Sequence, residues 1–295
     1  MTQRPLPGRR AVALGSLALA PLALAAPVLR AQPAPRIVSV GSSVTEIFYA
    51  LGAETLLVGV DTTSLYPAAA RKLPQVGYMR ALSAEGVLAL KPTLVVATTA
   101  AGPATTLDQL RGAGIEVLLL PDHYDYDSVV EKIEAIGKVT GRTAEAKALI
   151  AEGRRDMATL AAKLASVAAR PRVLFLLAMS GGAPQAAGRN TAADGIIRLA
   201  GGVNAVDGYA GYRPLTPEAV IASRADVVVM PRQSVEALGG VQAVLDQPAL
   251  RQTPAGRNGR VLQFDAILLL GFGPRTPQAA AELAQALHPD LVKGK

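Results

Sequence analysis

Two segments of this chain, 133 residues apart, repeat one pattern. Residues 82–96 read LSAEGVLALKPTLVV and residues 215–229 read LTPEAVIASRADVVV, with six identical and four conservatively replaced positions. Each segment predicts a short helix, opened by a Ser or Thr N-cap, that leads into an apolar β-branched strand. Because the spacing is wide enough for a domain, the repeat predicts two similar α/β lobes in tandem.

The repeat also carries a matched pair of acidic residues. Ser83 and Thr216 are the predicted N-caps, and Glu85 and Glu218 follow in the first helical turn. The helix macrodipole favours a carboxylate there, so one interpretation is that both glutamates only stabilise their helices. The other interpretation is that two lobes with matched acidic residues grip a two-fold symmetric partner. These residues alone leave both interpretations open.

The first 31 residues are predicted to be an export signal rather than part of the fold. Arg9 and Arg10 precede an uncharged run rich in Ala and Leu over residues 11–28. The segments Ala23-Leu24-Ala25 and Leu29-Arg30-Ala31 are candidate cleavage sites. A charged start, an apolar middle and a small-residue end are typical of a secretory signal. The paired arginines resemble a twin-arginine signal, and ordinary secretion fits too. A membrane anchor is less favoured because two prolines interrupt the run.

Composition narrows the class of protein. The predicted signal contains four arginines and no acidic residue, so its removal lowers the net charge from +7 to +3. The remaining basic residues are scattered and Trp is absent, which does not fit a nucleic-acid surface. Without cysteine the chain has no disulfide, no thiolate chemistry and no site for a lipid, so we expect a free periplasmic protein.

Apolar runs alternate with helical patterns, which is typical of an α/β fold with mostly parallel sheets. We therefore expect two Rossmann-like lobes joined by a long rigid helix, with a ligand in the cleft between them, where strand ends converge. The predicted boundaries are 36–140 for the first lobe, 141–169 for the connecting helix and 170–290 for the second lobe. The predicted strands lie near 37–40, 56–60, 94–97, 117–120, 173–177, 227–230 and 261–264.

Motifs of common enzymes are missing. The sequence has no G-x-S-x-G and no G-x-x-x-x-G-K-[ST], and the run Gly271-Phe272-Gly273 lacks the third glycine of a dinucleotide fingerprint. Two histidines and no cysteine cannot form a His-rich zinc site. These features favour a binding protein over an enzyme.

The loop at residues 74–83 carries the most distinctive chemistry. Gly77 frees the backbone beside Tyr78, and Arg80 lies two residues further on. A nearby cation stabilises phenolate relative to phenol. Phenolate is a hard anionic oxygen donor that suits ferric iron and is a known protein ligand of haem.

From Arg36 to about Pro289 the chain resembles the haem-binding periplasmic proteins of ATP-driven haem importers. These belong to the helical-backbone class of substrate-binding proteins, with the vitamin B12 and ferric-siderophore binders. The resemblance rests on RIVSVGSSVTEIFYALG, LPQVGYMRALSAEGVLALKP, AAGRNTAADGIIRLAGGVNA and GYRPLTPEAV. The tyrosine in G-Y-x-[RK], within the second piece, marks the haem branch.

The resemblance implies roles for particular residues. Tyr78 would be the axial iron ligand, with Arg80 as its neighbouring cation and Arg275 as a second arginine that approaches the phenolate from the other lobe. Glu85 and Glu218 would match the two glutamates with which such proteins dock on arginines of the permease.

One departure from the family concerns a second ligand. Some relatives supply a histidine from the loop after the strand near 173–177, where this chain reads LAMSGG. We therefore expect a five-coordinate iron with tyrosine as the only protein ligand, and Met179 at most packing on the porphyrin. Tyr212 is a candidate contact at the porphyrin edge. His123, at the cleft rim, and His288 are expected at the surface or behind the residues that contact the ligand.

The resemblance implies a periplasmic protein that carries ferric haem b as transported ligand. Its partners would be the permease dimer and ATPase subunits of an ABC importer, with an outer-membrane haem receptor as upstream source, and the protein itself would be a monomer. The alternatives are a ferric-siderophore or vitamin B12 binder on the same fold and, less favoured, an exported haem-modifying enzyme.

Overall fold

The computed structural model describes residues 1–2, 8, 34–180 and 183–292. The predicted export signal therefore lies outside the described residues, apart from Met1, Thr2 and Gly8. The two lobes belong to the compact unit Ala34–Lys295.

The first lobe is built on a four-stranded parallel sheet with the strand order β2-β1-β5-β6. The strands are short and largely buried because β-branched and other apolar residues fill them. In chain order the elements are β1 (Ile37–Val40), α1 (Ser42–Ala50), a 3₁₀ turn (Glu54–Leu56), β2 (Leu57–Val60), a second 3₁₀ turn (Ala68–Lys72), β3 (Gly77–Tyr78), β4 (Ala81–Leu82), α2 (Ala84–Ala89), β5 (Leu94–Thr98), α3 (Ala104–Gly112), β6 (Glu116–Leu120) and α4 (Tyr126–Thr140).

The second lobe follows the long helix α5 (Thr143–Leu164) and has the strand order β10-β8-β7-β11-β12, with β9 beside β7. Its elements are β7 (Arg172–Ser180), β8 (Ala183–Ala187), α6 (Ala192–Leu199), β9 (Val203–Asn204), β10 (Tyr212–Pro214), α7 (Pro217–Ala222), β11 (Val227–Pro231), α8 (Arg232–Ala237), α9 (Val241–Leu245), α10 (Pro248–Arg251), α11 (Pro254–Arg257), β12 (Val261–Phe264), α12 (Ala266–Leu270), α13 (Thr276–Leu287) and a 3₁₀ turn (Pro289–Val292).

The repeated sequence pattern forms the same unit in both lobes. The Ser83 hydroxyl accepts a hydrogen bond of 3.2 Å from the amide of Gly86, and the Thr216 hydroxyl accepts one of 3.2 Å from Ala219. The helices α2 and α7 then lead into β5 and β11, which are fully buried and lie between two parallel neighbours. The predicted two-lobed α/β fold is confirmed.

The second sheet is not wholly parallel. The strand β8 is antiparallel to β7, and β10 is antiparallel to β8. Only Gly181 and Gly182 separate β7 from β8, and a parallel pairing would need a crossover of a dozen or more residues. The sequence patterns did not predict β8 or β10.

Helix α5 connects the lobes without a flexible linker. Helix α4 ends at Gly141, which adopts the left-handed conformation with φ of 71° and lets the chain turn into α5. The 22 residues of α5 rise about 33 Å. Its buried stripe is Ala146, Ile150, Gly153 and Leu160, and it packs on α4 from one lobe and α13 from the other.

The expectation for His288 was wrong. Its exposed fraction is 8%, and its Nε2 atom has no hydrogen-bond partner among the described residues. The residue directly follows α13, which packs on α5 and α6. His123 is exposed, as expected.

Within the described ranges, no helix combines the length and the apolar character needed to cross a membrane.

Candidate functional site

A cleft of about 390 Å³ lies where the carboxyl ends of the first sheet face the second lobe. Gly41 follows β1, Thr63 follows β2, and Thr98 ends β5, so several strand ends contribute to one wall. The remaining described lining residues are Ser42, Ser43, Tyr78, Met79, Arg80, Ala100, Asp122, Tyr124, Leu177, Ala192, Tyr212, Ala266, Ile267, Leu270 and Gly271.

Tyr78 and Arg80 lie together on a two-stranded hairpin at this cleft. Strand β3 pairs with β4 so that Gly77 faces Leu82 and Tyr78 faces Ala81. Arg80 Nη1 lies 3.4 Å from Tyr78 Oη, a long hydrogen bond between two exposed groups. The segment predicted as a loop is thus a hairpin that presents a phenol and a guanidinium side by side.

The hairpin is held in place by backbone hydrogen bonds from both sides. The Gly77 carbonyl accepts from the amide of Thr62 at 2.9 Å, and the Met79 carbonyl accepts from Gly102 at 2.9 Å. Gly77 has φ of 99°, which is accessible to glycine and strained for other residues. These contacts fix Tyr78 relative to the sheet although 44% of its surface is exposed.

Two further tyrosines line the cleft and are kept as neutral phenols. Burial raises the pKa of Tyr212 to about 12, and the backbone of Ala193 and the Thr191 hydroxyl lower it only in part. Burial and the Asp122 carboxylate raise the pKa of Tyr124, while Arg80 opposes them. A phenol is a hydrogen-bond donor but a weak ligand for ferric iron, so neither is suited to coordinate it.

Tyr124 joins the lobes at the cleft wall. It has φ of 54°, and its ring packs edge-on against Phe272 with centroids 5.5 Å apart. A Cβ at Gly195 of α6 would collide with the Tyr124 carbonyl oxygen, so glycine allows this close approach.

The charged groups of the cleft are Arg80 and Asp122 among its described lining residues. Asp122 Oδ1 accepts a hydrogen bond of 2.8 Å from Lys132 Nζ, and the Lys132 side chain is fully buried. Because Lys132 compensates the carboxylate, the cation of Arg80 is left as the uncompensated charge facing a ligand.

A buried carboxylate supports the floor of the cleft. Asp61 accepts hydrogen bonds from the amide of Gly41, from the amide and hydroxyl of Thr63 and from the hydroxyl of Ser64, at 2.6–2.9 Å. These bonds tie the turns after β1 and β2 together. Asp61 is therefore a structural residue of the site rather than a ligand contact.

Arg275 lies elsewhere than expected. Its guanidinium donates two hydrogen bonds, of 2.9 and 2.8 Å, to the Glu46 carboxylate and lies 3.5 Å from the centroid of the Tyr66 ring. Burial opposes the charge, but the hydrogen bonds and charge of Glu46 outweigh it and raise the pKa of Arg275. Arg275 is not among the described lining residues. The physical reason is that the Glu46 carboxylate offers the guanidinium a bidentate, charge-assisted pair of hydrogen bonds.

The structure thus brings Tyr78, Arg80 and Tyr212 to one cleft. Met179 lies on β7 opposite Pro184, and its side chain lies outside what the structure describes. Glu85 and Glu218 are exposed and do not line the cleft.

Asp122 and Tyr124 line the cleft although no sequence pattern singled them out. Both follow the strand end at Leu120, and the rule that ligands bind at the carboxyl ends of parallel strands could have indicated them.

A larger depression, of about 690 Å³, lies between α5 and α13. Its described lining residues include Asp156, Lys163 and Glu282 and no aromatic residue. In the part of the chain that the structure describes, no cluster of three or more His, Asp or Glu side chains is arranged to hold a metal ion.

Comparison with known proteins decides the family. A family model described as "Periplasmic binding protein" matches residues 37–268. The chain belongs to this family. Membership implies an extracytoplasmic location and a binding protein rather than an enzyme.

The most informative relatives fall into two groups. The periplasmic haem-binding protein BhuT, solved with two haems, is 43% identical, with a TM-score of 0.83, and the match covers 87% of this chain and 99% of that one. The periplasmic haem-binding protein RhuT from Roseiflexus sp. RS-1 is 40% identical, with a TM-score of 0.82 and coverages of 88% and 99%. A cobalamin-binding protein of Halobacterium salinarum is 32% identical, over 87% of this chain and 70% of its own length.

Proposed function

We propose that this protein binds ferric haem between its lobes, outside the cytoplasm, and delivers it to an ABC importer. The observation that carries the proposal is the contact of 3.4 Å between Arg80 and the Tyr78 phenol at the cleft. The likeness to BhuT and RhuT, at 43% and 40% identity, supports the same cargo.

Tyr78 is the proposed axial ligand. Burial raises the pKa values of Tyr124 and Tyr212, whereas Tyr78 is exposed to the cleft and its hydroxyl contacts Arg80. Phenolate oxygen suits ferric iron as a ligand. Met179 and Tyr212 are proposed to contact the porphyrin without ligating the iron.

The test of this ligand is Tyr78→Phe, followed by absorption spectroscopy during hemin titration. We expect loss of the phenolate-to-iron charge-transfer band and of most affinity, because the ring remains and only the oxygen is removed. The control is Tyr66→Phe, since Tyr66 is also 44% exposed but lies outside the cleft. An unchanged spectrum in the Tyr78 variant would refute the assignment.

The role of Arg80 is separable from that of Tyr78. Arg80→Ala removes the guanidinium that contacts the Tyr78 hydroxyl at 3.4 Å, so we expect weaker hemin binding with the iron ligand still present. Arg275→Ala tests the expected second cation. Because Arg275 is bound to Glu46, we expect this variant to lower hemin affinity less than Arg80→Ala does. Wild-type hemin affinity in the Arg80 variant would show that this arginine does not support the ligand.

Glu85 and Glu218 are proposed to dock the two lobes on the permease dimer, which works with its ATPase subunits. Both carboxylates are exposed and have no ion-pair partner among the described residues, and their helices are capped by equivalent hydrogen bonds. The double variant Glu85→Ala/Glu218→Ala should bind hemin normally and fail to deliver it to reconstituted importer. Normal delivery together with a lower melting temperature would instead show that the residues only stabilise their helices.

The remaining parts of the proposal concern export and organisation. Residues 1–31 are proposed to be cleaved as a signal, by twin-arginine or ordinary secretion, to release a periplasmic monomer that receives haem from an outer-membrane receptor. The lobes 36–140 and 170–290 would then act as one rigid carrier joined by residues 141–169. Sequencing the amino terminus of exported protein tests the cleavage, and an uncleaved chain would contradict it.

A corrinoid is the second candidate ligand. The cobalamin-binding protein of H. salinarum supports it, at 32% identity. Parallel titrations with hemin and cyanocobalamin decide between the two, because corrinoid binding should not depend on Tyr78.

A further inference from the structure

An apolar groove of about 430 Å³ lies beside the helix that carries Glu218. Leu215, Val220 and Leu250 line it and are 8%, 2% and 3% exposed. Pro214, Pro217 and Pro248 line it as well and are exposed. The groove shares no described lining residue with the cleft.

The rim is suited to burial against another protein. Proline has no amide N–H, so covering these three positions leaves no backbone donor without a partner. Their fixed backbone angles also reduce the entropy lost on binding. An apolar pocket surrounded by polar surface is the usual composition of an energetically important interface region.

The exposed carboxylate of Glu218 indicates that the partner surface carries a positive charge. Glu218 follows Pro217 directly and is exposed, and the pKa of its carboxyl is lowered by hydrogen bonds from its own backbone amide and from the Thr216 side chain. The partner surface should therefore place a cation beside an apolar side chain.

We propose that this groove receives an apolar side chain of the permease loop whose cation pairs with Glu218. The inference rests on the proposed function and adds a contact that the glutamates alone do not provide. In the repeat, Ala84 of the first lobe corresponds to Pro217, so this part of the rim is not repeated there. The two halves of the docking surface therefore differ at this position, and the inference concerns the second lobe.

The test fills the groove and measures binding to the permease dimer in nanodiscs. Ala249 is partly exposed within the groove, so Ala249→Phe should occupy it and weaken binding at least tenfold. Pro217→Ala, which installs the residue of the first lobe, should weaken binding roughly threefold. The matched control is Ala158→Phe, an exposed position on α5 outside the groove, which should bind like wild type.

Hemin titration of each variant verifies the fold, because the groove and the cleft are separate. Wild-type permease affinity in Ala249→Phe and Pro217→Ala, with loss of binding in Glu218→Ala, would overturn the groove while leaving the docking glutamates in place. If Ala249→Phe instead changes only self-association in sedimentation velocity, the groove is a contact between copies and the proposal fails. If the double variant Glu85→Ala/Glu218→Ala binds the permease as tightly as wild type, the proposed docking by the glutamates is wrong. The comparison of Ala249→Phe with Ala158→Phe then still shows whether the groove contacts the permease.

Discussion

Removing Glu46 should weaken the connection between the lobes. Glu46 lies on α1 of the first lobe, and Arg275 precedes α13 of the second. The pair has two side-chain hydrogen bonds, and the backbone amide of Arg275 donates a third to Glu46, of 3.3 Å. Glu46→Ala removes all three and leaves the guanidinium without its anion.

The expected magnitude follows from the burial of the two side chains. Breaking a fully buried pair costs about 3–5 kcal/mol, whereas an exposed pair contributes about 0–1 kcal/mol. The Glu46 side chain is 8% exposed and that of Arg275 is 22% exposed, so the charge left behind can reach some water and keeps its contact with Tyr66. We therefore expect a loss of about 3 kcal/mol, at the lower end of the buried range.

Urea unfolding of the mature chain measures this loss. The control is Glu145→Ala, because Arg142 and Glu145 also form an ion pair but their side chains are 47% and 45% exposed, so its loss should change stability little. The double variant Glu46→Ala/Arg275→Ala should cost less than the sum of the single variants, since the stranded charge is gone. A Glu46 variant no less stable than the Glu145 control would refute the reasoning.

Three further perturbations test other contacts of the structure. Burial raises the pKa of Tyr212 from 10 to about 12, so the stability that its neutral phenol contributes is complete below pH 10 and is lost as the pH rises towards 12. Tyr212→Phe should therefore reduce the fall in folding stability across that window, and an unchanged fall in alkaline urea titrations would contradict this. Asp122→Asn leaves the buried Lys132 charge uncompensated and should lower the free energy of unfolding by about 3 kcal/mol or more. The double variant Asp122→Asn/Lys132→Met should recover part of this loss. Equal stabilities of the single and double variants would argue against the pairing. Gly195→Ala should destabilise the protein by roughly 1–3 kcal/mol and lower hemin affinity, because the new Cβ would collide with the Tyr124 backbone. The control Gly86→Ala, whose nearest contact would be 3.6 Å, should be close to neutral in thermal melts.

Local patterns were enough to predict the lobes and the elements around the repeat. The caps at Ser83 and Thr216 depend on residues only three positions apart, and strands such as Ile37–Val40 are recognisable as short apolar runs. The proximity of Tyr78 and Arg80 was predictable for the same reason, since they are two residues apart in the chain. Such features are determined by short-range geometry, which the order of residues contains directly.

Contacts between distant residues could not be predicted in this way. Glu46 and Arg275 are 229 residues apart, and no local pattern indicates that Arg275 faces a carboxylate rather than the Tyr78 phenol. The burial of His288, the pairing of Asp122 with Lys132 and the place of Tyr124 against Gly195 likewise arise when separate elements pack. The sequence by itself determined the repeated α/β units and the residues of the hairpin. Only the tertiary structure decided which charges meet across the lobes, because packing brings together side chains whose positions depend on every element between them.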